Sequence, residues 1–474
     1  MAASEAGFDG PSARGIFGDA FRAAQGDRGA TTQVIDVSQQ ALCLNQFHIS
    51  GISRIRRGFL ATLLERLFEA KTVEQAVLES REAAGKLQAL GIAKHVVVEL
   101  DRAEEGREGV DVHFRCEDGS RYVIKTGVDV GDNEGTASVA GRLNNIWGGG
   151  ESLEAIYSRG SKTQAAFQGT LLVPVDADPQ KHVELRATQV ALDARPYSAH
   201  DDVRRAVSSA FRAVDAAGRS HGLRYLAEWR ELCNLGSAAS PTLRADAGHT
   251  LKSSVEYTFV FDDRDSATVP TSGSIVRATA EVAGLLGGDV RFAKARAEMQ
   301  TNQRLGKSEW IVSTGAQGGL LWSFDGPRGR SPLADRFFLG GQTTVRGFEH
   351  RGIGPHDHND SVGGDVFYAA GVSLLTPLPY VRTTALKGHL WANAGQLGLL
   401  DDRGLLREPK NGPGGGPPGE IRRFFMRPSV AVGFGLVYRH SIVRAELSCC
   451  LPLVAATSDR PKAGLQFGLG VQFL

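Results

Sequence analysis

The chain has 474 residues, enough for two or three ordinary domains or for one small domain followed by a large barrel. Its 54 lysine and arginine residues are balanced by 53 aspartate and glutamate residues and interspersed with them, which argues against the basic patch of a nucleic-acid-binding protein. No window holds the ~18 apolar residues that a transmembrane helix needs, so any membrane-spanning part must be a closed β-barrel.

Residues 1–40 form a separate N-terminal segment. They contain no apolar run that could serve as a signal peptide, and acidic residues such as Glu5, Asp9 and Asp19 argue against a transit peptide. We expect this segment to be flexible.

Residues 41–118 include the clearly helical part of the chain. Apolar residues recur every three or four positions from Ile55 to Phe68 and again from Val73 to Leu90, which predicts two amphipathic helices. Gly91 ends the second helix, and strand patterns follow on both sides of a turn at Glu104 to Gly109. The order strand, helix, helix, strand, strand predicts one small α+β domain.

From residue 120 to residue 474, segments of about ten residues alternate apolar with polar or small side chains, the pattern typical of a membrane barrel. Val255, Tyr257, Phe259 and Phe261 share one face of such a segment, whereas Arg444 and Glu446 place charge on the polar face of another. A charged face suits a wet lumen better than a dry core. Counting about sixteen segments predicts a mainly β fold with a 16-stranded antiparallel transmembrane β-barrel.

Some segments of this region allow more than one interpretation. Residues 204–218 also fit a helix, and Leu243 to Phe261 is compatible with one long strand or two. The run NGPGGGPP, Asn411 to Pro418, predicts a flexible loop inserted between barrel strands 13 and 14.

The cysteines predict neither a disulfide scaffold nor a metal site. Their number is odd, and they form no CxxC pair and no histidine-spaced ligand set. Reduced, partly buried thiols are therefore expected at Cys43, Cys116, Cys233, Cys449 and Cys450.

A connection at about residues 325–364 is far longer than the ~12 to 15 residues usual for a loop, which indicates a function. It contains FFLGGQTTVRGFEHRGIGP, Phe337 to Pro355. An arginine inside a lumen needs a carboxylate or several acceptors, whereas glycine permits a tight tip and phenylalanine packs it down. Within this run, Val345, Arg346, Gly347 and Phe348 resemble the tip of the long inward-folded loop in the barrel-assembly and two-partner-secretion superfamily of outer-membrane proteins.

The resemblance implies where the loop docks. In that superfamily the loop arginine meets an inner wall that often carries an Asp-x-Gly motif. The matching stretch is LWANAG, with Asn393 in place of the acid and Gly395 in place of the glycine, and an asparagine can still accept from a guanidinium. Glu446 is a second candidate partner for Arg346.

The final segment, GLQFGLGVQFL, has an unbroken apolar face and must at least be the closing strand of the barrel. Gln466, Gly468, Val471 and Phe473 also resemble the β-signal of mitochondrial barrel proteins. The segment can be both the closing strand and a β-signal if it pairs with the first barrel strand, near Arg121 to Asp129.

Further stretches resemble the mitochondrial branch, the central barrel subunits of the sorting and assembly machinery. They are LAEWRELCNLG, GHTLKSSV and LLTPLPY, at residues 226–236, 248–255 and 374–380. A single domain similar to the polypeptide-transport-associated (POTRA) domain fits the same branch. The resemblance implies insertion of β-barrel precursors into the mitochondrial outer membrane at a gate between the first and last strands, with the N-terminal domain in the intermembrane space. It implies two smaller cytosol-facing subunits, the lipid bilayer and, in some lineages, the cristae-organising complex as partners.

Other classes of function fit less well. A passive porin needs neither the loop nor the N-terminal domain, and a plastid envelope relative would carry a transit peptide or more POTRA-like repeats. His350, His356, Asp357 and His358 fit a solvated loop better than a metal site. We find no nucleophile motif, and therefore expect no catalytic residue, no cofactor and no metal.

Overall fold

The computed structural model describes residues 44–102, 109–131, 134–161, 163–195, 197–267, 269–306, 309–324, 331–378, 385–400, 424–439 and 444–470. Its N-terminal part is an α+β unit with a three-stranded sheet in the order β1-β3-β2. Strand β1 is parallel to β3, and β2 is antiparallel to it. The elements are β1 (Leu44–Ser50), α1 (Arg57–Phe68), α2 (Val73–Ala89), β2 (Ala93–Arg102) and β3 (Val110–Asp118).

The two predicted helices are confirmed, and their apolar stripes form the core of this unit. Leu67 of α1 and Leu87 of α2 are buried against Phe114 of the sheet. The side chain of Thr72 caps α2 by accepting a hydrogen bond from the backbone N–H of Gln75. None of the described helices combines the length and the apolarity needed to cross a bilayer.

The remaining strands form one sixteen-stranded antiparallel sheet, which confirms the predicted barrel. Each strand pairs with the next along the chain. The strands are β4 (Tyr122–Gly131), β5 (Glu134–Asn144), β6 (Ser152–Gly160), β7 (Thr163–Val175), β8 (Asp178–Asp193), β9 (Asp201–Val214), β10 (Ser220–Cys233), β11 (Gly248–Asp262), β12 (Gly273–Ala283), β13 (Phe292–Arg304), β14 (Ile311–Ser323), β17 (Val366–Pro377), β18 (Leu386–Gly398), β19 (Ser429–Arg439), β20 (Arg444–Val454) and β21 (Gly464–Gly470).

The two faces of each strand differ as the alternation predicts. On β11, Leu251 and Tyr257 are exposed on the outside of the barrel, whereas Lys252 is buried on the inside. Because side chains point alternately to the two faces of a strand, the outer surface is an apolar band and the inner surface is polar.

Two of the open interpretations are decided by the structure. Residues 204–218 do not form a helix, since β9 covers Asp201–Val214 and pairs along its length with β8 and β10. Leu243 lies in a short helix, α3 (Pro241–Ala245), and a single long strand, β11, begins at Gly248. The loop at Asn411 to Pro418, the segment at residues 1–40 and most of the turn at Glu104 to Gly109 lie outside the described residues.

The first and last barrel strands, β4 and β21, lie side by side. Every other pair of neighbouring strands in the sheet is joined by a backbone ladder, but none joins β4 to β21 within the described residues. We call this junction the seam.

The N-terminal unit packs on one end of the barrel. Ala177, in the turn between β7 and β8, belongs to the core of that unit, and the backbone N–H of Arg56 donates to the carbonyl of Gly148 at 2.7 Å. The Arg56 guanidinium also meets the buried carboxylate of Glu151 at 3.1 Å. Because the strands alternate in direction, the connection from β14 to β17 leaves from the opposite end.

Candidate functional site

The connection between β14 and β17 folds into the barrel lumen, and we call it the lumen loop. Of its residues, 324 and 331–365 are described. The loop contains a 3₁₀ turn at Leu333–Asp335 and a small hairpin of β15 (His356–Asp357) and β16 (Asp360–Ser361). Its apolar side chains pack with side chains of the barrel wall, among them Phe292, Leu321, Phe367 and Leu397.

The guanidinium of Arg346 lies at a charged contact inside the lumen. Its Nε is 3.1 Å from Oε1 of Glu446 on β20, and both side chains are only 2–3% exposed. Ser448 Oγ donates to the same carboxylate at 2.9 Å, and His389 Nδ1 on β18 lies 3.2 Å from it. We call this group the Arg346 clamp.

The wall stretch expected to receive the loop also takes part. Arg346 Nη1 donates to Asn393 Oδ1 at 3.4 Å, and Asn393 Nδ2 donates to the carbonyl of Thr344 at 3.1 Å. The guanidinium lies over the ring of Trp391, 5.3 Å from its centroid. A Cβ on Gly395 would come within 2.9 Å of Val345 Cγ2, so glycine there permits close approach of the loop.

The other residues of the VRGF motif shape the tip. Val345 and Phe348 are at most 1% exposed. Gly347 has φ +83°, and a Cβ added there would lie 2.8 Å from the Cβ of Ala431 on β19. Both the positive φ and the crowding therefore require glycine.

The last strand reaches this site through two of its four predicted residues. Gln466 Oε1 accepts a long hydrogen bond of 3.5 Å from the backbone N–H of Gly347. Gly468 is the ladder partner of Glu446 and lines a small cavity beside Arg346. Val471 and Phe473 lie outside the described residues.

A second charged group, not found from the sequence, holds the other part of the loop. Asp335 receives two hydrogen bonds from Arg230 on β10, from Nη1 at 2.6 Å and from Nη2 at 2.8 Å. Lys252 Nζ on β11 donates to Asp335 Oδ1 at 3.1 Å, and Lys294 Nζ on β13 donates to its carbonyl at 2.6 Å. We call this group the Asp335 socket.

The socket keeps its carboxylate charged. Burial alone would raise the pKa of Asp335, but the hydrogen bonds and charge of Arg230, with the charges of Lys252 and Lys294, lower it to about 2. The only sequence signal was indirect: by strand alternation Arg230, Lys252 and Lys294 all face inward.

The histidines of the loop make local contacts. His356 Nδ1 lies 3.0 Å from the carbonyl of Gly354, and His358 Nδ1 lies 3.0 Å from Asp357. The ring of His350 packs against Tyr197. Within the described residues no group of three or more candidate ligands could hold a metal ion.

Comparison with known proteins shows to which family this architecture belongs. Residues 144–473 match the Omp85 superfamily domain. The chain belongs to the Omp85 superfamily.

Relatives define its branch of the Omp85 superfamily. The chain is 33% identical over 444 residues to "Sorting and assembly machinery component 50 homolog A" of Xenopus laevis, with 91% of this chain and 90% of that protein covered. It is 30% identical over 469 residues to the human homolog, with 95% and 96% covered. The chain is thus a member of the component 50 group and an outer-membrane barrel protein.

A solved structure shows the same fold at low identity. "BamA from Haemophilus ducreyi lacking POTRA domains 1-3" superposes with a TM-score of 0.73 at 15% identity and covers 90% of this chain and 84% of that one. At this identity the likeness concerns the fold alone.

Proposed function

We propose that this protein inserts and assembles β-barrel precursors in the mitochondrial outer membrane, by strand addition at the seam between β4 and β21. The observation that carries the proposal is the seam itself, the junction of neighbouring barrel strands that lacks a backbone ladder within the described residues. Membership of the component 50 group supports the substrate class and the location.

The physical problem of barrel insertion is one of unpaired backbone. A strand edge in lipid leaves each backbone polar group unsatisfied, at a cost of several kcal/mol per group. An edge of β4 or β21 offered to an incoming strand satisfies those groups, and no bond chemistry is needed. Glycines at 468 and 470 of β21 weaken strand pairing, which favours opening.

The lumen loop acts beside this edge. The Arg346 clamp holds the loop tip against β18 and β20, and Gly347 reaches the last strand at Gln466. In this position the loop guides a precursor on the lumen side. The N-terminal unit, which lies on the barrel end away from the start of the loop, faces the intermembrane space and offers its sheet edge to extended precursor segments.

The partners follow from the same proposal. They are precursor barrels, two smaller cytosol-facing subunits of one complex and, in some lineages, the cristae-organising complex. We infer a role without bond chemistry and assign no catalytic residue.

Site-specific disulfide crosslinking in mitochondria tests the proposal. Single cysteines at outward positions of the seam, Tyr122, Ile124, Leu465 and Phe467, are paired with cysteines in the last strand of an arrested porin precursor. We expect crosslinks at both edges in an alternating register. Matched cysteines at Leu251 and Tyr257, which face outward on the far side of the barrel, should give none. A folded barrel without seam crosslinks would instead indicate a channel or a scaffold.

A further inference from the structure

The two charged groups of the lumen loop lie on different parts of the barrel wall. The Asp335 socket draws on β10, β11 and β13, which are the seventh, eighth and tenth of the sixteen strands, and the seam lies between the sixteenth and the first. The Arg346 clamp draws on β18 and β20, close to the seam. The loop therefore spans the lumen from the wall facing the seam to the wall beside it.

We propose that Asp335 is a positioning residue, which fixes the stem of the lumen loop, the segment around the 3₁₀ turn Leu333–Asp335, to the wall opposite the seam independently of the Arg346 clamp. The stem then stays in place while the tip is free to follow movement of the seam strands. Only this last consequence rests on the proposed function; the independent anchoring does not.

The socket is built as a firm attachment. Asp335 and Arg230 are 3% and 2% exposed, and their bidentate contact is the strongest geometry available to a carboxylate and a guanidinium. Lys252 Nζ, which donates to Asp335, also lies 2.5 Å from the carboxylate of Glu281 on β12. Arg230 Nε lies 2.5 Å from the carboxylate of Glu228.

The net charge of the wall side chains in the socket favours binding of the loop carboxylate. The wall contributes three cations, at Arg230, Lys252 and Lys294, but two carboxylates, at Glu228 and Glu281. Asp335 supplies the third carboxylate and makes the group neutral. Withdrawal of the loop stem would break the bidentate contact and leave this part of the wall with a net positive charge, which is unfavourable.

The Arg346 clamp differs in ways that suit a releasable contact. Its shortest contact, from Arg346 Nε to Glu446 Oε1, is 3.1 Å, and its hydrogen bonds to Asn393 Oδ1 and Glu446 Oε2 are both 3.4 Å, compared with 2.6 and 2.8 Å in the socket. One of its strands, β20, is the direct neighbour of the seam strand β21. Movement of β21 therefore disturbs its direct neighbour β20, which carries part of the clamp. The strands of the socket are several strands away from the seam in both directions.

Thiol labelling of the full-length protein in lipid nanodiscs, without precursor, tests the two anchors separately. The native cysteines at 43, 116, 233, 449 and 450 are replaced by alanine. One reporter, Ser331→Cys, replaces a buried serine that accepts a hydrogen bond from Arg336, the residue after Asp335, and another, Val345→Cys, lies buried next to Arg346. Each is combined with Asp335→Asn, Arg346→Lys or the control Asp357→Asn, a loop carboxylate that accepts from the backbone N–H of Thr242 outside the socket.

With Asp335→Asn we expect Ser331→Cys to react with a small maleimide at least ten-fold faster, and Val345→Cys to change less than two-fold. Arg346→Lys should give the reverse, and Asp357→Asn should alter neither reporter. If Asp335→Asn moves both reporters together, or neither, independent anchoring is wrong.

A purely structural role would lower the heat stability of the barrel on a gel and expose both reporters. If Asp335→Asn yields no folded barrel, Arg230→Lys carries the same test, because it keeps the charge and loses the bidentate contact. Precursor assembly is assayed separately, so that its failure cannot be mistaken for failure of the anchor.

Discussion

The contact between Arg346 and Glu446 is a charged pair held almost out of reach of water. Removing one member of such a pair costs about 3–5 kcal/mol, because the other charge stays buried without a partner. The apolar packing of Val345 and Phe348 is unaffected by that loss, so the barrel itself should survive it.

We therefore expect Arg346→Ala to slow assembly of a radiolabelled porin precursor at least ten-fold while the barrel keeps its folded mobility on a semi-native gel. Arg219→Ala is the matched control, since Arg219 pairs with Asp215 in an exposed turn. Normal assembly in the Arg346 variant would remove the loop from the proposed mechanism.

Gly347 is constrained by both conformation and space. Alanine there meets the unfavourable left-handed region, at about 1 kcal/mol, and the additional overlap with Ala431. We expect Gly347→Ala to increase protease cleavage of the lumen loop. Gly306→Ala, in the turn between β13 and β14, shares a positive φ but has open space around it and lies outside the loop, so it should leave loop cleavage unchanged. Equal cleavage in the two variants would mean that the overlap is relieved without cost.

At this scale the sequence identified one anchor of the loop and missed the other. Arg346, Asn393 and Glu446 could be found because a motif marks the loop tip and alternation places Glu446 on the polar face of its strand. Asp335 carries no motif. Its contacts with β10, β11 and β13 depend on how the loop folds back, which neighbouring residues in the chain do not encode.

At the scale of the elements, α2 offers a test of how much one N-terminal cap contributes to helix stability. The Thr72 hydroxyl accepts from the backbone N–H of Gln75, one of the donors that the helix itself cannot satisfy. We expect Thr72→Ala to destabilise the helix start by about 0.5–2 kcal/mol, seen as faster amide exchange of its first turn.

The neighbouring helix provides the control for Thr72→Ala. Thr62 is exposed and donates to the carbonyl of Gly58 within α1, so Thr62→Ala should leave exchange in α2 unchanged. Unaltered exchange in the Thr72 variant would mean that packing alone holds the helix start.

The sequence predicted the number of strands and which side chains face inward or outward. It did not everywhere predict whether a segment forms a strand or a helix. In β9, Ala206, Val207, Ala210 and Phe211 also recur at helical spacing, so the local sequence allows both forms. Backbone hydrogen bonds to β8 on one side and to β10 on the other stabilise the strand form. This is a tertiary effect that overrides local preference.

For the whole molecule, the joint between the N-terminal unit and the barrel depends on a buried carboxylate. Glu151 accepts from Arg56 Nη2 at 3.1 Å and from the backbone N–H of Gly149 at 2.9 Å. We expect Glu151→Gln to speed amide exchange of Arg56, whose N–H is bonded across the joint, by roughly 10- to 100-fold.

The control for the joint is Glu117→Gln, which removes an exposed pair with Lys94 within the N-terminal unit. Exchange at Arg56 should be the same as in the unmodified protein. An unchanged Arg56 in the Glu151 variant would show that apolar packing around Ala177 holds the joint by itself.

The architecture as a whole was predictable because two periodicities divide the chain, one near 3.6 residues before residue 91 and one of two residues after residue 120. Closure was predictable because an open edge is costly in lipid. The placement of the N-terminal unit was not, since it depends on turns such as Gly148 and Ala177 that carry no pattern of their own.

The ring beneath Arg346 also gives the molecule an optical property. Of the five tryptophans, Trp391 is 4% exposed and faces the lumen, whereas Trp147, Trp229, Trp310 and Trp322 are each more than 40% exposed. Brominated lipids should quench fluorescence from the outward indoles on the barrel wall and spare that of Trp391. With Trp147 and Trp310, which lie in turns and not on the wall, replaced by phenylalanine, the residual emission reports whether the guanidinium still rests on the Trp391 ring.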